Sequence, residues 1–484
     1  MISVLIVLPL TAAFLVFLWP RQATFIGLSA SAATVILTAI CVTSVYLSGP
    51  MHTLLGGWSP PLGIRLAIDG LSALMLSMMA LVGGLLSLFA PGYFKRSHDK
   101  PATITLFWPL WLLLWGTLNG LFMAADIFTL YVLMEISLLA AVALVTLSPS
   151  QVATMAALRY LLVTTTGSLL YLMGVAILYD AYGVLDMVLL AEEVQSGWAL
   201  TTALLLMTIG LMTKAALFPL HFWLPPAHAL SPVPVSAILS ALFVKGAFYL
   251  LLRLWSALGE QAASAEFSLV IAMLAVAAIV WGSVQALRQR HLKMLIAYST
   301  VAQVGFFFLA FPALANSHHT GPDIDPGLAG SAIQVVAHAL AKASLFLAAG
   351  ILLLARHSDR LSAMRGMARS LPVTAAALAL AGLGLYGPPG SGAGLGKSLL
   401  GQALHGGEHG WWEPLLTFAG LLTITYVLSM LRYIVLPYRG SLTMTPVSLW
   451  LQAIPLVLAL CGLGLGWFEP LLIELLQVQS GGTE

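Results

Sequence analysis

Apolar runs about 20 residues long recur from one end of this chain to the other, and that is the length a helix needs to cross the hydrocarbon of a bilayer. In lipid only helices and closed barrels satisfy their own backbone, and runs this long and continuous select helices. With a window of about 19 residues the runs fall near 2–19, 22–47, 66–90, 103–124, 126–147, 154–178, 198–218, 235–255, 266–287, 293–312, 329–354, 373–403, 414–436 and 447–468. They make about fourteen spans. Only 8% of the chain is charged and 60% is apolar, against roughly 25% charge in a soluble domain, so a water-soluble globule is excluded. The expected fold class is all-α, a polytopic integral membrane protein. The first apolar stretch has no basic residue before it and Arg21 after it, so it reads as a span with its N-terminus outside and not as a signal peptide. Cys41 and Cys461 both lie inside apolar runs, which supports neither a disulfide framework nor a Cys-based metal site.

Alternating the spans sorts the charges. One side collects Arg21, Lys95, Arg96, Lys100, Arg159, Arg288, Arg290, Lys293, Arg356, Arg360, Arg365, Arg369, Arg432 and Arg439, and the other holds only Arg65 and Arg253. Because cytoplasmic loops collect Lys and Arg, the first side is expected to be cytoplasmic, with both termini on the opposite face of a cell (inner) membrane. The outer loops hold acids instead: Asp180, Asp186, Glu192, Glu193, Glu260, Glu266, Asp323, Asp325, Glu408 and Glu413. Solvated loops obeying the orientation rule account for nearly all of these peripheral charges. His318, His319, His405 and His409 lie in outer loops without the spacing of a metal site, so no metal is expected. Trp108, Trp111 and Trp115 share one short helical stretch, where an interfacial belt is favoured over a cofactor stack.

The remaining basic residues, Lys214, Lys245, Lys342 and Lys397, fall within spans, as do Glu135 and His338. A charge at mid-bilayer costs on the order of 2.5–3.5 kcal/mol, so each needs a function or a pairing. Glu135 lies nine residues, or about 13.5 Å along a helix, from Asp126 at the outer end of its run. Lys214 precedes a segment with Pro219, Pro225, Pro226, Pro232 and Pro234, which cannot continue a helix. A second break runs from Gly387 through Pro388 and Pro389 to Lys397. Broken helices at membrane depth are tolerated where they are buried in protein or line a water-filled cavity, and two of them suggest an internal repeat. His338 and Lys342 are spaced i,i+4 and share a helix face. Burial favours a neutral amine and a nearby carboxylate favours the ammonium, so such groups, linked by water, form a proton path. A static Lys214–Glu135 pair holding two helices in register is the structural alternative; one carboxylate cannot neutralise four lysines that way. His221 and His228 lie in the proline-rich turn, as loop or interface histidines or as accessories to the path.

The stretches Phe128-Thr-Leu-Tyr-Val-Leu-Met-Glu135, Thr213-Lys-Ala-Ala-Leu-Phe-Pro-Leu-His-Phe-Trp-Leu-Pro-Pro-Ala-His228, Leu292-Lys-Met-Leu-Ile-Ala-Tyr-Ser-Thr-Val-Ala-Gln-Val-Gly305 and His338-Ala-Leu-Ala-Lys342 resemble the antiporter-like subunits of respiratory complex I, Mrp-type cation/proton antiporters and membrane-bound hydrogenases. The pattern is most similar to Mrp D-type and hydrogenase-type subunits and covers roughly residues 60 to 440. The resemblance implies about fourteen helices with two inverted five-helix repeats, the seventh and twelfth helices being broken. It divides the chain into N-terminal helices (1–100), a first repeat (101–258), a second repeat (259–440) and a C-terminal helix (441–484). It implies a relay of Glu135, Lys214, Lys245, His338, Lys342 and Lys397. Two departures stand out: the second break lacks the family's Phe and is one residue longer, and His291 replaces the usual acid before Leu-Lys. The chain also stops soon after its last span, as in the shorter members.

The function expected is that of a subunit moving protons across an energy-coupling membrane, driven by partner membrane subunits. A cation/proton antiporter (protons, with Na+ as the second ion) or an ion or inorganic-carbon uptake module is the alternative within that framework, and a non-conducting scaffold the alternative outside it. No nucleotide loop, Cys cluster or haem signature occurs, so no cofactor, catalytic residue or nucleic-acid partner is expected. Any enzyme label, such as NADH-quinone oxidoreductase, would be inherited from the assembly.

Overall fold

Every apolar run holds a helix. Among the described residues, 11 helices are long and apolar enough to cross a membrane. The runs at 2–19, 198–218 and 373–403 hold shorter apolar helices, Val4–Leu18, Trp198–Lys214 and Pro372–Tyr386. The last two stop where the proline-rich and glycine-rich segments begin. The computed structural model describes residues 1–97, 101–259, 265–316, 324–405, 412–437 and 445–478. Lys100, Arg439, Glu260, Asp323, Glu408, His318, His319 and His409 lie outside the described residues, as do the side chains of His405 and Glu413.

The chain opens with α1 (Val4–Leu18) and α2 (Ala23–Ser48), then a hairpin of β1 (Met51–Leu54) and β2 (Arg65–Ile68), paired antiparallel with Met51 opposite Ile68. There follow α3 (Gly70–Phe94), α4 (Pro101–Met123), α5 (Ile127–Val145), α6 (Gln151–Tyr182), the short α7 (Met187–Glu193) and α8 (Trp198–Lys214). After the first break, α9 (Leu224–Leu230) leads into α10 (Val233–Ile238), a π-turn over Leu239–Phe243 and α11 (Val244–Leu258). These last three run on as a single span. The second half comprises α12 (Ala265–Arg288), α13 (Leu292–Phe308), α14 (Ala310–Asn316), α15 (Pro326–Arg356), α16 (Met367–Ser370), α17 (Pro372–Tyr386), α18 (Gly392–His405), α19 (Trp412–Val435), α20 (Leu449–Gly464) and α21 (Glu469–Gln477).

Acids start several of these helices. Asp69, Asp126, Asp186 and Asp325 cap α3, α5, α7 and α15, each carboxylate accepting from a backbone N–H two or three residues on, which satisfies donors a helix start leaves open. The spans carrying Lys245 and His338, Val233–Leu258 and Pro326–Arg356, are buried along most of their length, whereas Pro414–Val435 and Leu449–Gln477 are largely uncovered by the rest of the chain. Close helix approach depends on absent side chains: a Cβ on Gly210 would lie 2.3 Å from the Gly167 carbonyl, and one on Gly396 would lie 2.8 Å from that of Gly330. These contacts seat α8 on α6 and α18 on α15, the small-residue packing favoured between helices in lipid.

The two ends of the bundle differ. At one end the hairpin, α7 and α21 gather: Leu66 bridges Ala124, Asp126 bridges Asp186, and the Gly70 N–H donates to the Val478 carbonyl at 2.7 Å. Arg65 pairs with Asp186 and Arg253 with Asp69. Arg65, Arg253 and Asp186 are therefore not freely solvated loop charges; each is partly or fully buried and ties two segments together. Burial raises the Asp69 carboxyl, but the Arg253 guanidinium and the hydrogen bonds from Arg253 and Ser72 outweigh it and hold it below its usual value. The opposite end holds Lys95, Arg96, His291 and Arg360. There Arg96 donates to the Ser448 hydroxyl at 3.2 Å, and His291 Nδ1 lies 2.8 Å from Asp359.

The tryptophans of α4 correct the interfacial expectation. Trp108, Trp111 and Trp115 are fully buried because α4 is enclosed by α1, α2, α3 and α5. Trp111 donates to the Ser87 hydroxyl at 2.9 Å, and a Cβ on Gly27 would meet the Trp108 ring at 2.1 Å. They fill the core and are neither a belt nor a cofactor stack.

Candidate functional site

Lys214 is the last residue of α8. Just beyond it Ala216 takes a positive φ of 56° and the chain leaves the helix. The carbonyls released by this break are reused: Leu217 N–H donates to the Met212 carbonyl at 3.0 Å, and the Trp223 indole donates to that of Thr213 at 3.0 Å. Trp223 is itself clamped by the Tyr160 ring, stacked at 4.4 Å. With the backbone so anchored, the buried Lys214 ammonium donates to Glu135 Oε1 of α5 at 2.8 Å. The same oxygen accepts from the Ser168 hydroxyl of α6. The Glu135 side chain is 23% exposed against 2% for Lys214, so the pair reaches from the interior to the flank of the bundle.

A void of about 10 Å³ lies next to Lys214, lined by Ser137, Phe243, Gly246 and Ala247 among others. That is close to the space one water needs. It separates Lys214 from the helix that carries Lys245. The π-turn ahead of α11 frees the Ser240 carbonyl, and the Lys245 ammonium donates to it.

Lys342 of α15 donates to the Ile296 carbonyl at 2.8 Å and to the Ser299 hydroxyl. His338, one turn earlier on α15, is buried, and among the described residues neither ring nitrogen has a hydrogen-bond partner. Phe307 stands between it and Lys245, 5.1 Å from the imidazole and 5.8 Å from the ammonium. His338 lies within electrostatic reach of Lys245, Lys342 and Lys397, and His228 within reach of Lys245, Lys342 and Lys293. His228 is likewise fully buried, and among the described residues neither ring nitrogen has a hydrogen-bond partner of good geometry. Buried polar groups of this kind call for an explanation such as water between them.

The second break mirrors the first. Gly387 adopts φ 78° after α17, and Lys397 on α18 reaches back to the freed carbonyls of Leu385 and Tyr386 at 3.2 and 2.7 Å. Its ammonium lies 4.5 Å from the centre of the Phe306 ring. Adjacent aromatic residues of α13 thus meet Lys397, at Phe306, and Lys245 with His338, at Phe307.

The structure therefore brings Glu135 to Lys214, and gathers Lys245, His338, Lys342 and His228. Lys397 stands beyond Phe306. His221 is set apart, accepting from the Trp281 indole at 3.1 Å and stacked on Phe218. Sequence reasoning misses Lys293, which it groups with the solvated basic loops; the residue is buried and donates to the Ser231 carbonyl. Its place inside the Leu292–Gly305 stretch is the available signal. Also missed is a buried amide row in which Gln334 donates to Gln303 at 3.3 Å and Gln303 to the Tyr426 hydroxyl at 3.1 Å. Among the described residues no three His, Cys, Asp or Glu side chains converge as metal ligands would.

Comparison with known proteins gives the family and the fold. The family model described as NADH:quinone oxidoreductase/Mrp antiporter, transmembrane, matches residues 124–423. The N-type subunit of the NADH-quinone oxidoreductase of Desulforudis audaxviator is 35% identical over 367 residues, covering 75% of this chain and 71% of its own. The D-type subunit of the Na(+)/H(+) antiporter of Bacillus subtilis is 27% identical and covers 96% of this chain and 94% of its own. Among solved structures, a chain of the archaeal membrane-bound sulfane sulfur reductase matches with TM-score 0.87 and 27% identity, covering 98% of this chain and 96% of that one. A chain of the Mrp complex of a Dietzia species, 24% identical with TM-score 0.87 over 99% of this chain and 96% of that one, shows the shared fold. With its matched segment spanning both breaks and every intramembrane charge described above, the chain belongs to the NADH:quinone oxidoreductase/Mrp antiporter family of membrane proteins.

Proposed function

We propose that this chain is a proton-translocating membrane subunit of a complex I-like or Mrp-like assembly, and that its buried ionisable side chains carry the proton. The observation that supports this most is the placement of Lys214. It terminates a broken helix, holds a carboxylate that opens toward the flank, and adjoins a water-sized void bordered by the helix that carries Lys245. Glu135 and Lys214 form the coupling pair, Lys245, His338 and Lys342 the central relay with His228 as an accessory, and Lys397 the gate at the second break. The three shorter apolar helices, Val4–Leu18 and the two that end at the breaks, bring the spans to about fourteen, arranged as two inverted five-helix repeats. The basic end faces the cytoplasm under the positive-inside rule, which puts both termini on the other face of the cell membrane. Other membrane subunits are the partners, and one of them completes the burial of Glu135.

The likeness to a Na(+)/H(+) antiporter protein supports a second reading, exchange of a cation for protons. Flux that requires Na+ would favour it over proton translocation alone.

The void beside Lys214 gives a direct test. A Cβ on Gly246 would meet Leu118 and Leu121 at 3.4 Å, ordinary contact, so Gly246→Ala fits, while the two methyls of Gly246→Val occupy the water's space. Proton flux in vesicles holding the assembled complex is expected to stay near wild type for Gly246→Ala and to fall about tenfold or more for Gly246→Val. Equal flux in all three would remove the water link from the path.

A further inference from the structure

A cavity of about 490 Å³ opens at the hairpin end, between β1–β2, the start of α3, the end of α4, α7 and the end of α11. His52, Arg65, Asp69, Ser72, Tyr249 and Arg253 are among its lining residues. The relay proposed above does not use it. Lys245, Tyr249 and Arg253 follow one another at i, i+4 and i+8, so they share a face of α11. Tyr249, which borders the cavity, follows Lys245 by one turn of α11.

We infer that this cavity is a water-filled proton portal at the hairpin end, and that the Tyr249 and Ser72 hydroxyls connect it to Lys245. The inference rests on the proton-translocating reading. The Tyr249 hydroxyl donates to the Phe122 carbonyl at 2.8 Å, accepts from Arg253 Nε at 3.0 Å and lies 3.1 Å from the Ser72 hydroxyl. Two hydroxyls in contact at the wall of a cavity can pass a proton by rotation. In the outward direction Lys245, released from the Ser240 carbonyl, gives an N–H proton to the Tyr249 oxygen. Tyr249 gives its own proton to Ser72, and Ser72 gives its own to cavity water. Lys245 is left as the neutral amine, the water as hydronium, and both hydroxyls keep one proton each. The flexible four-carbon stem of lysine permits the swing.

Two carboxylates line the cavity, Asp69 and Glu192. Asp69 is committed to Arg253, and the Arg65 guanidinium at the same wall is committed to Asp186. Arg253 also donates to the Ser72 hydroxyl at 2.8 Å, which fixes that oxygen at the end of the cavity.

The test uses the assembled complex in vesicles of known orientation, with Cys41→Ser and Cys461→Ser as background. Ser72→Cys is treated with a membrane-impermeant cationic methanethiosulfonate applied to one face at a time. Modification from the hairpin-end face alone is expected; no modification from that face overturns the portal. Tyr249→Phe removes only the relaying oxygen and is expected to lower proton flux at least tenfold. If Tyr249→Phe does not assemble, Ser72→Ala takes its place with the same expectation. Wild-type flux in the variant measured overturns the portal even though Lys214→Ala is inactive. Wild-type flux in Lys214→Ala would instead overturn the translocation reading itself.

Discussion

Replacing Lys214 with Ala should abolish proton translocation, with flux falling about 100-fold or more, the scale lost when a positioned proton-transfer group is removed. Electron transfer or transport in the partner subunits should survive in part, because Lys214 is buried within this chain. Lys214→Arg separates the two roles the residue could play. A guanidinium can still pair with Glu135, but it does not give up its proton. A pair that merely fixes the register of α5 and α8 predicts that Arg restores flux; a relay predicts that Arg assembles and stays inactive. Proton uptake by vesicles carrying equal amounts of assembled complex reads both variants.

The second large effect is at Lys342. Its ammonium is buried and bonded to the Ile296 carbonyl and the Ser299 hydroxyl, and among the described residues no carboxylate forms an ion pair with it. Burying an ammonium is costly, and replacing buried charge with a hydrophobic residue of similar volume is often neutral or stabilising. Lys342→Met should therefore unfold at or above the wild-type temperature while proton flux falls about 100-fold. A non-conducting scaffold predicts the same thermal result with undiminished flux. Thermal unfolding and flux measured on one preparation keep a failure to fold from being mistaken for a loss of the path.

Much of this arrangement is legible in the sequence because lipid leaves a chain few options. An apolar run must be helical, prolines after Lys214 must break it, and a lysine inside it must meet something polar. Those constraints are local, and they locate Glu135, Lys214, Lys245, His338, Lys342 and Lys397. What escapes depends on partners distant in the chain. Lys293 sits beside Arg288 and Arg290 and looks like one more basic loop residue, yet the Ser231 carbonyl draws it inward from 62 residues away. Trp108, Trp111 and Trp115 have the composition of a membrane belt, and only the packing of α1, α2, α3 and α5 around α4 buries them. The π-turn that frees the Ser240 carbonyl for Lys245 has no sequence signature of its own. Phe306 and Phe307 gain meaning only once Lys397 is set against the one ring and Lys245 and His338 against the other.

Infrared difference spectroscopy on the assembled complex during turnover tests most directly whether these side chains exchange protons. If they do, the carboxylic C=O stretching region of the wild type shows a band that forms as Glu135 takes a proton from Lys214, and the band is missing from Glu135→Gln. A wild-type spectrum without such a band while protons cross the membrane, or an identical band in Glu135→Gln, would contradict the account.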